Sequence, residues 1–326
     1  YSVLSYFGLL PAGLAGIDIT ALLDRAGSMR EGCPPYTDAH TNPAAWLGAV
    51  IGTLANTGRD KLTLVTSPAI GSLGLWVEQL LAESTGKEGK GIMPVAGEPL
   101  TAPKYYGDDR LFVYSRLEGD DNEDTDTAIK KIQESGQPIV RLNLRDRYDL
   151  GAEFFRWELA TTVGGALLGI HPFDQPDVQM AKDATSAELE EYRLSGRLST
   201  LEVESSFLAL LSQVRPGDYL AIMAYIHQTP ATDQTLANLR KTVTERYHIA
   251  TSLGYGPRFL HSTGQFHKGG PNNGLFLQIT ADHQQDVPIP GAPYTFGILA
   301  DAQALSDLRA LRTLDRRVVR VHLGSK

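Results

Sequence analysis

Residues 61–95 read KLTLVTSPAIGSLGLWVEQLLAESTGKEGKGIMPV. The run from Lys61 to Thr66 is apolar and β-branched, which predicts a strand. After Pro68, apolar residues recur at helical spacing and predict a helix over residues 70–83, while residues 91–95 predict a second strand. A strand, a helix and a strand in this order favour parallel pairing and a layered α/β domain.

The same alternation continues along the chain. Further strands are expected at 110–115, 138–144, 218–226, 275–280 and 317–323, and helices at 19–27, 43–58, 125–135, 148–169, 177–182, 201–213, 231–246 and 295–311. The polar stretch 183–200 is the best candidate for a domain boundary. We therefore expect one α/β domain over residues 1–190 and a second α/β lobe over 191–326.

Composition limits the class of protein. The 326 residues are 42% hydrophobic and 21% charged, which is typical of a globular protein, and no apolar run has membrane-spanning length. The net charge of −8 argues against a nucleic-acid partner. The single cysteine, Cys33, excludes an internal disulfide and fits a reducing, cytoplasmic compartment. The chain does not begin with Met, so we expect that more protein once preceded it.

Two polar residues interrupt the predicted helix 70–83. Its apolar face is expected to run through Leu75, Trp76, Gln79, Leu80 and Glu83, with Gly86 closing the helix at positive φ. A carboxylate on the last turn is destabilised as an anion by the helix dipole, and partial burial raises its pKa further. Glu83 is therefore a candidate for proton transfer near neutral pH. The plainer alternative is a solvated glutamate before a loop.

A long loop is predicted over residues 254–274, and it carries His261, His267 and Lys268. A loop of this length in a compact domain is typically functional. An acid/base histidine and an ordinary hydrogen-bonded histidine both fit. The two histidines are six residues apart with no Cys or acidic residue between them, which argues against zinc. Thr66 and Ser67, before the helix, are one place where a phosphate could bind.

Three segments together resemble the phosphoglucose isomerases. Gln79-Leu-Leu-Ala-Glu83-Ser-Thr-Gly-Lys87 is similar to the Gln-x-x-x-Glu-Ser-Asn-Gly-Lys motif of that family. Phe173-Asp-Gln-Pro-Asp-Val-Gln-Met-Ala-Lys182 and Leu260-His-Ser-Thr-Gly-Gln265 are similar to two others, and residues 1–11 resemble the segment that follows Gly-Gly-Arg. The sequence around His261 resembles the isomerase part of fused transaldolase–phosphoglucose isomerase proteins.

This resemblance implies a parallel three-layer sugar-isomerase (SIS-type) fold. It also implies interconversion of glucose 6-phosphate and fructose 6-phosphate, in glycolysis and gluconeogenesis, through an enediol and without metal or other cofactor. Glu83 would be the base, His261 and Lys182 would serve ring opening, and the remaining substrate contacts would be Gln79, Gln175, Lys87 and His267. A homodimer is implied, because the family often borrows its catalytic histidine from the neighbouring subunit.

The sequence departs from the family pattern in three respects, of which the mildest is Ser-Thr-Gly after Glu83 where Ser-Asn-Gly is common. The histidine segment follows the lysine segment instead of preceding it, so His267 rivals His261 for ring opening. The first SIS domain with its phosphate loop, the arginine before Tyr1 and any transaldolase barrel are absent from the sequence. We therefore expect the C-terminal portion of a longer enzyme. The alternatives are a sugar-phosphate-binding module without turnover, and a fragment that needs its other half to stay folded, which exposed apolar surface along residues 1–16 would support.

Overall fold

The structure is a computed structural model that describes residues 1–174, 176–199 and 206–324, and for residues 176–183 the backbone alone. The chain forms two compact units. The first comprises Tyr1–Thr85, Lys90–Lys104 and Asp108–Phe173, and the second comprises Gly86–Gly89, Tyr105–Gly107 and Asp174–Lys326. The predicted division at residue 190 stays a prediction.

The first unit is built on a parallel sheet with strand order β2-β1-β3-β4. Its strands are β1 (Lys61–Thr66), β2 (Met93–Ala96), β3 (Arg110–Leu117) and β4 (Ile139–Leu144). Its helices are α1 (Tyr6–Leu14), α2 (Ile19–Glu31), α3 (Pro43–Asn56), α4 (Gly71–Thr85), α5 (Glu123–Glu134) and α6 (Leu150–Leu168). Parallel pairing follows from the helical crossovers between the strands.

The core of the first unit lies where α3, α4 and α6 pack with the sheet. Leu62 and Val113 of the strands, Leu47 and Ile51 of α3, and Trp157 of α6 are almost completely buried in one cluster. Asp18 accepts a hydrogen bond from the Ala21 amide and begins α2, as its position predicts.

The second unit repeats the strand order of the first, as β6-β5-β7-β8, again entirely parallel. Its strands are β5 (Tyr219–Tyr225), β6 (Ala250–Tyr255), β7 (Gly274–Thr280) and β8 (Arg317–His322). Its helices are α7 (Pro176–Ser195), α8 (Phe207–Leu211), α9 (Pro230–Tyr247), α10 (Gly264–Gly269) and α11 (Phe296–Thr313). The predicted class, parallel α/β in both halves, is confirmed.

Several boundaries differ from those expected. The polar stretch 183–200 is largely helical, since α7 runs to Ser195 and is supported there by an exposed Arg193–Glu190 pair three residues apart. The predicted loop 254–274 contains a 3₁₀ turn over Arg258–His261 as well as α10. Both pieces are too short to show a helical period, and α10 also begins and ends with glycine.

Helix α1 was not predicted and is exposed. It contains Pro11, and none of its residues is buried. Tyr6, Phe7, Leu10 and Leu14 are 89%, 87%, 65% and 82% exposed. This is the apolar surface along residues 1–16 that the fragment interpretation requires. Among the described residues, no helix is long and apolar enough to cross a membrane.

Candidate functional site

The C-terminal turns of α4 carry the predicted acid and amide in the first unit. Gln79 and Glu83 are four residues apart, and the Gln79 Nε2 atom donates to the Glu83 Oε2 atom at 3.5 Å. Gln79 is exposed and Glu83 is partly buried. A carboxylate that is partly buried, reachable from solvent and held by a neutral amide can exchange a proton with a bound molecule.

The face that α4 buries is not the one expected. Leu75 is 42% exposed, whereas Leu80 is 6% exposed and lies in the core, so the two residues do not share a face. Leu75, Gln79 and Glu83 follow one another at intervals of four and form the outer face of the helix. The predicted apolar face through Glu83 is therefore wrong, because the spacing alone does not tell which side meets the sheet.

The end of α4 is closed differently from the prediction. Gly86 does not have positive φ, and the left-handed residues are Glu88 and Gly89. The Thr85 hydroxyl donates to the Leu81 carbonyl at 2.7 Å and accepts from the Ile92 amide at 3.0 Å. A side chain thus satisfies one terminal carbonyl and fixes the helix end to the start of β2.

Tyr1 reaches the same turn of α4 within the first unit. Burial raises the pKa of its hydroxyl above the ordinary value of 10.0, and the nearby side chains of Ser84 and Thr162 oppose this effect. The segment resembling the stretch after Gly-Gly-Arg thus begins beside the residue that follows Glu83. No sequence signal apart from the resemblance pointed to this neighbour.

At the carboxyl edge of the first sheet, side chains of the protein itself bind the segment that follows β1. The Ala69 amide donates to the Asp120 carboxylate at 2.8 Å. Ser67 Oγ donates to Asn122 at 2.5 Å and accepts from the Leu117 amide at 2.8 Å. At the phosphate position expected beside Thr66 and Ser67, the Asp120 carboxylate therefore accepts an amide hydrogen bond that a phosphate would accept.

Lys87 belongs to the second unit and is 3% exposed. Its ammonium group donates to the carboxylate of Asp174 at 2.8 Å and also to the backbone carbonyl of that residue. Lys87 lines a cavity of about 440 Å³ together with Asp174, Gly269 and Arg316. Arg316 in turn donates to the Gly270 carbonyl at 2.8 Å.

The two histidines of the predicted loop have opposite surroundings. His261 ends the 3₁₀ turn and is exposed. His267 is 3% exposed and lies between the rings of Phe259 and Phe276, at centroid distances of 5.9 and 5.1 Å. Burial first, then the charges of Lys268 and Arg316, lower the pKa of His267 well below 6.5, so its imidazole is neutral.

A buried ion pair next to His267 was not anticipated from the sequence. Lys268 Nζ contacts Asp307 Oδ1 at 2.5 Å, and both side chains are almost completely buried. The segment after His261 is further fixed by Gln265, whose Nε2 donates to the Gly86 carbonyl at 2.9 Å. Because Asp307 lies 39 residues from Lys268, no local spacing could have paired them.

The structure describes two of the predicted site residues only in part or not at all. Gln175 is not among the described residues, and Lys182 is described only as a backbone position in α7. The structure therefore brings together Gln79 with Glu83, and Lys87 with Asp174, within their own units. Among the described residues, no three His, Cys, Asp or Glu side chains converge as metal ligands.

The chain is thus a two-unit parallel α/β protein with an acid–amide pair on a helix end. No family model matches it. It is 30% identical over 219 residues to the glucose-6-phosphate isomerase of Lactobacillus helveticus, covering 56% of this chain and 49% of that protein. It is 31% identical over 221 residues to the enzyme of the same name from Heliobacterium modesticaldum, with coverage of 56% and 49%.

The chain therefore spans about half the length of the curated relatives it matches. Among solved structures, a glucose-6-phosphate isomerase from Chlamydia trachomatis aligns with 86% of this chain and 63% of its own, at 13% identity. Its TM-score of 0.25 is too low to support an argument.

Proposed function

We propose that this chain carries the proton-transfer part of an aldose–ketose isomerase that interconverts glucose 6-phosphate and fructose 6-phosphate. The observation that carries the proposal is the carboxylate of Glu83, partly buried on the last turn of α4 beside the Gln79 amide. The names of relatives that are about 30% identical over half the chain support the same chemistry.

The proposed reaction needs one base that moves a proton between adjacent carbons. Glu83 removes the C2 proton of the open-chain aldose, the electron pair forms the C1–C2 double bond, and the C1 carbonyl oxygen takes up a proton. The resulting enediol then loses its O2 proton as C1 receives the proton held by Glu83, which gives the ketose. Every step is a proton transfer, so the reaction needs one group that accepts and returns the carbon-bound proton near neutral pH, and a further acid/base group that gives a proton to O1 and takes one from O2.

The other roles follow the resemblance, residue by residue. His261 and Lys182 are proposed to protonate and deprotonate oxygens during ring opening, and Gln79, Gln175 and Lys87 to contact the sugar phosphate. His267 was the rival of His261. The exposure of His261 favours it, because an imidazole enclosed by aromatic rings has no path to a substrate oxygen.

The decisive experiment is a coupled assay of fructose 6-phosphate conversion with the Glu83→Gln variant. This change keeps the size of the side chain and removes the base, so we expect kcat to fall by about 10²–10⁴-fold. The matched control is Glu134→Gln, at an exposed position on α5 in the same unit, which should leave kcat unchanged. Equal activity of wild type and Glu83→Gln would overturn the assignment.

Other outcomes separate the remaining interpretations. No turnover by the chain alone, restored when the first half of a phosphoglucose isomerase is added, would support a C-terminal portion of a longer enzyme such as the transaldolase fusion. Binding of the sugar phosphate that persists in Glu83→Gln, with no turnover in either case, would favour the binding-module alternative. We also propose a homodimer, as the resemblance implies, and a monomer by light scattering would count against it.

A further inference from the structure

A second cavity, of about 400 Å³, lies at the carboxyl edge of the sheet in the second unit. Thr280 and His322 are the last residues of β7 and β8, and both line it. In open parallel sheets this edge is where small ligands bind, and the volume is in the range of small-molecule sites. At the corresponding edge of the first sheet, Asp120 accepts a hydrogen bond from the Ala69 amide and Asn122 accepts one from the Ser67 hydroxyl.

Arg320 lines this cavity and gives it a positive charge. It lies two residues before His322 on β8, and burial lowers the pKa of its guanidinium, opposed by the nearby charge of Asp301. Among the described residues, its Nε atom donates a hydrogen bond to the Thr280 hydroxyl at 3.3 Å, and no carboxylate forms an ion pair with it. The two terminal nitrogens of its fork are therefore not committed to a carboxylate.

A chain of hydrogen bonds orients this arginine. The Thr280 hydroxyl accepts from Arg320 and lies 3.0 Å from His322 Nδ1, while His322 Nε2 lies 3.2 Å from the Asp282 carboxylate. Both contacts of the His322 ring are hydrogen bonds when the Thr280 hydroxyl donates to Nδ1 and the Nε2–H group donates to Asp282. A guanidinium held through Nε presents its remaining donors in the fixed fork that binds phosphate bidentately.

The carboxylates of the cavity restrict the ligand further. Asp282 contacts His322, and Asp301 contacts His283 Nε2 at 3.1 Å. Each carboxylate can accept further hydrogen bonds from hydroxyl groups of a ligand. Its negative charge disfavours the binding of an anion that has no hydroxyl groups. A suitable ligand therefore carries one anionic group for Arg320 and several hydroxyl groups for Asp282 and Asp301.

We propose that this cavity binds a phosphate monoester of a polyhydroxylated carbon chain, at a site separate from Glu83. The site lies wholly within the second unit, and it does not depend on the proposed isomerase activity. The phosphate is held by the Arg320 fork, and the hydroxyl groups donate to the two aspartates. Inorganic phosphate and an uncharged sugar each satisfy only half of these partners and bind more weakly.

The test is calorimetric titration of the full chain with glucitol 6-phosphate, which has no carbonyl group and cannot isomerise. We expect Arg320→Gln to weaken binding by roughly 10–100-fold, the effect of losing charged hydrogen bonds. The matched control is Arg246→Gln, on α9 of the same unit, where the guanidinium lies over the Tyr247 ring. That change should alter the affinity by less than about twofold.

A second readout uses the wild-type chain and does not require the variant to fold. Phenylglyoxal modifies accessible arginines, and mass spectrometry reports each position separately. Glucitol 6-phosphate should slow the modification of Arg320 and leave that of Arg246 unchanged, whereas glucose should slow neither. Equal rates at Arg320 with and without the phosphate ester, or equal affinity of wild type and Arg320→Gln, would overturn the proposal.

Discussion

His267 is a neutral base enclosed by the protein. Its ring lies between Phe259 and Phe276, and neither ring nitrogen has a hydrogen-bond partner among the described residues. Burial lowers its pKa well below 6.5, and the charges of Lys268 and Arg316 add to that effect. Below pH 6.5 the unfolded chain binds a proton at this ring while the folded chain does not, so acid favours unfolding.

The prediction concerns the pH dependence of the free energy of unfolding. The contribution of the neutral His267 ring to the free energy of unfolding is fully present above pH 6.5 and is lost as the pH falls. Over that range the free energy of unfolding changes by up to about 1.4 kcal/mol per pH unit. His267→Leu should remove this part of the slope between about pH 6.5 and pH 5. Urea titrations at a series of pH values measure it.

Leu236→Ala is the control, since Leu236 is buried in the same unit and carries no titratable group, so the change should lower the free energy of unfolding without altering its pH slope. A slope for His267→Leu that matches the wild-type slope would show that the ring is protonated in the folded protein. That result would also remove the argument that burial disfavours His267 as the ring-opening group.

At the residue scale the sequence correctly placed Gln79 and Glu83 on one helix face, but it wrongly placed Leu75 and Leu80 on one face. The interval of four predicted the contact between Gln79 and Glu83. It could not show that Leu75 is exposed and Leu80 buried, because that depends on where the sheet lies. Likewise, the burial of His267 depends on Phe276, which comes from a strand that follows it in the chain.

At the scale of elements, the contact between α3 and α6 depends on a glycine. A β-carbon on Gly48 would lie 2.5 Å from the Ala160 carbonyl oxygen and 2.7 Å from Val163 Cβ. The backbone of α6 cannot retreat without moving the buried Trp157. We therefore predict that Gly48→Ala destabilises the protein by about 1–3 kcal/mol, as overpacking of a core does.

The control for this prediction is Gly27→Ala. Gly27 lies inside α2, and a β-carbon there would meet nothing within 4 Å. Alanine has the higher helix propensity, so this change should stabilise the protein by about 0.5–1 kcal/mol. Thermal unfolding of both variants measures the contrast, and equal effects of the two changes would contradict the close contact of α3 with α6.

Long elements could be predicted from the sequence and short ones could not. Strand β1 was predicted with its observed bounds, and α3, α9 and α11 to within two residues, because their apolar period repeats several times. Gly48, which permits the close approach of α3 to α6, gave no separate signal in the sequence. Strand β6 and helix α10 are short and polar or glycine-rich, so no period could develop.

At the scale of the molecule, the two sheets have the same strand order although the sequence shows no repeat. Right-handed crossovers and parallel pairing limit four strands to few arrangements, so a common order does not require similar residues. The two carboxyl edges illustrate this. At the first, Asp120 and Asn122 accept hydrogen bonds from Ala69 and Ser67, whereas the second borders a cavity lined by Arg320. Pattern alone predicts the sheet but not whether its edge is filled.

The surface of α1 leads to the last prediction. Tyr6, Leu10 and Leu14 follow at intervals of four, form one exposed apolar stripe, and have Phe7 beside them. Contiguous apolar surface of this kind favours association, and the net charge of −8 opposes it through repulsion that salt screens. We therefore expect light scattering to show self-association that rises with protein concentration and with salt.

Replacing Phe7 and Leu14 by lysine should abolish this association. The free energy of unfolding should change by less than about 0.5 kcal/mol, because α1 buries no residue. Leu208→Lys, at a position on α8 that is 69% exposed, tests whether any exposed leucine has the same effect. A wild-type chain that stays monomeric at every concentration and salt would contradict both this prediction and the proposed homodimer. A large loss of stability in the double variant would instead mean that α1 packs against other parts of the chain.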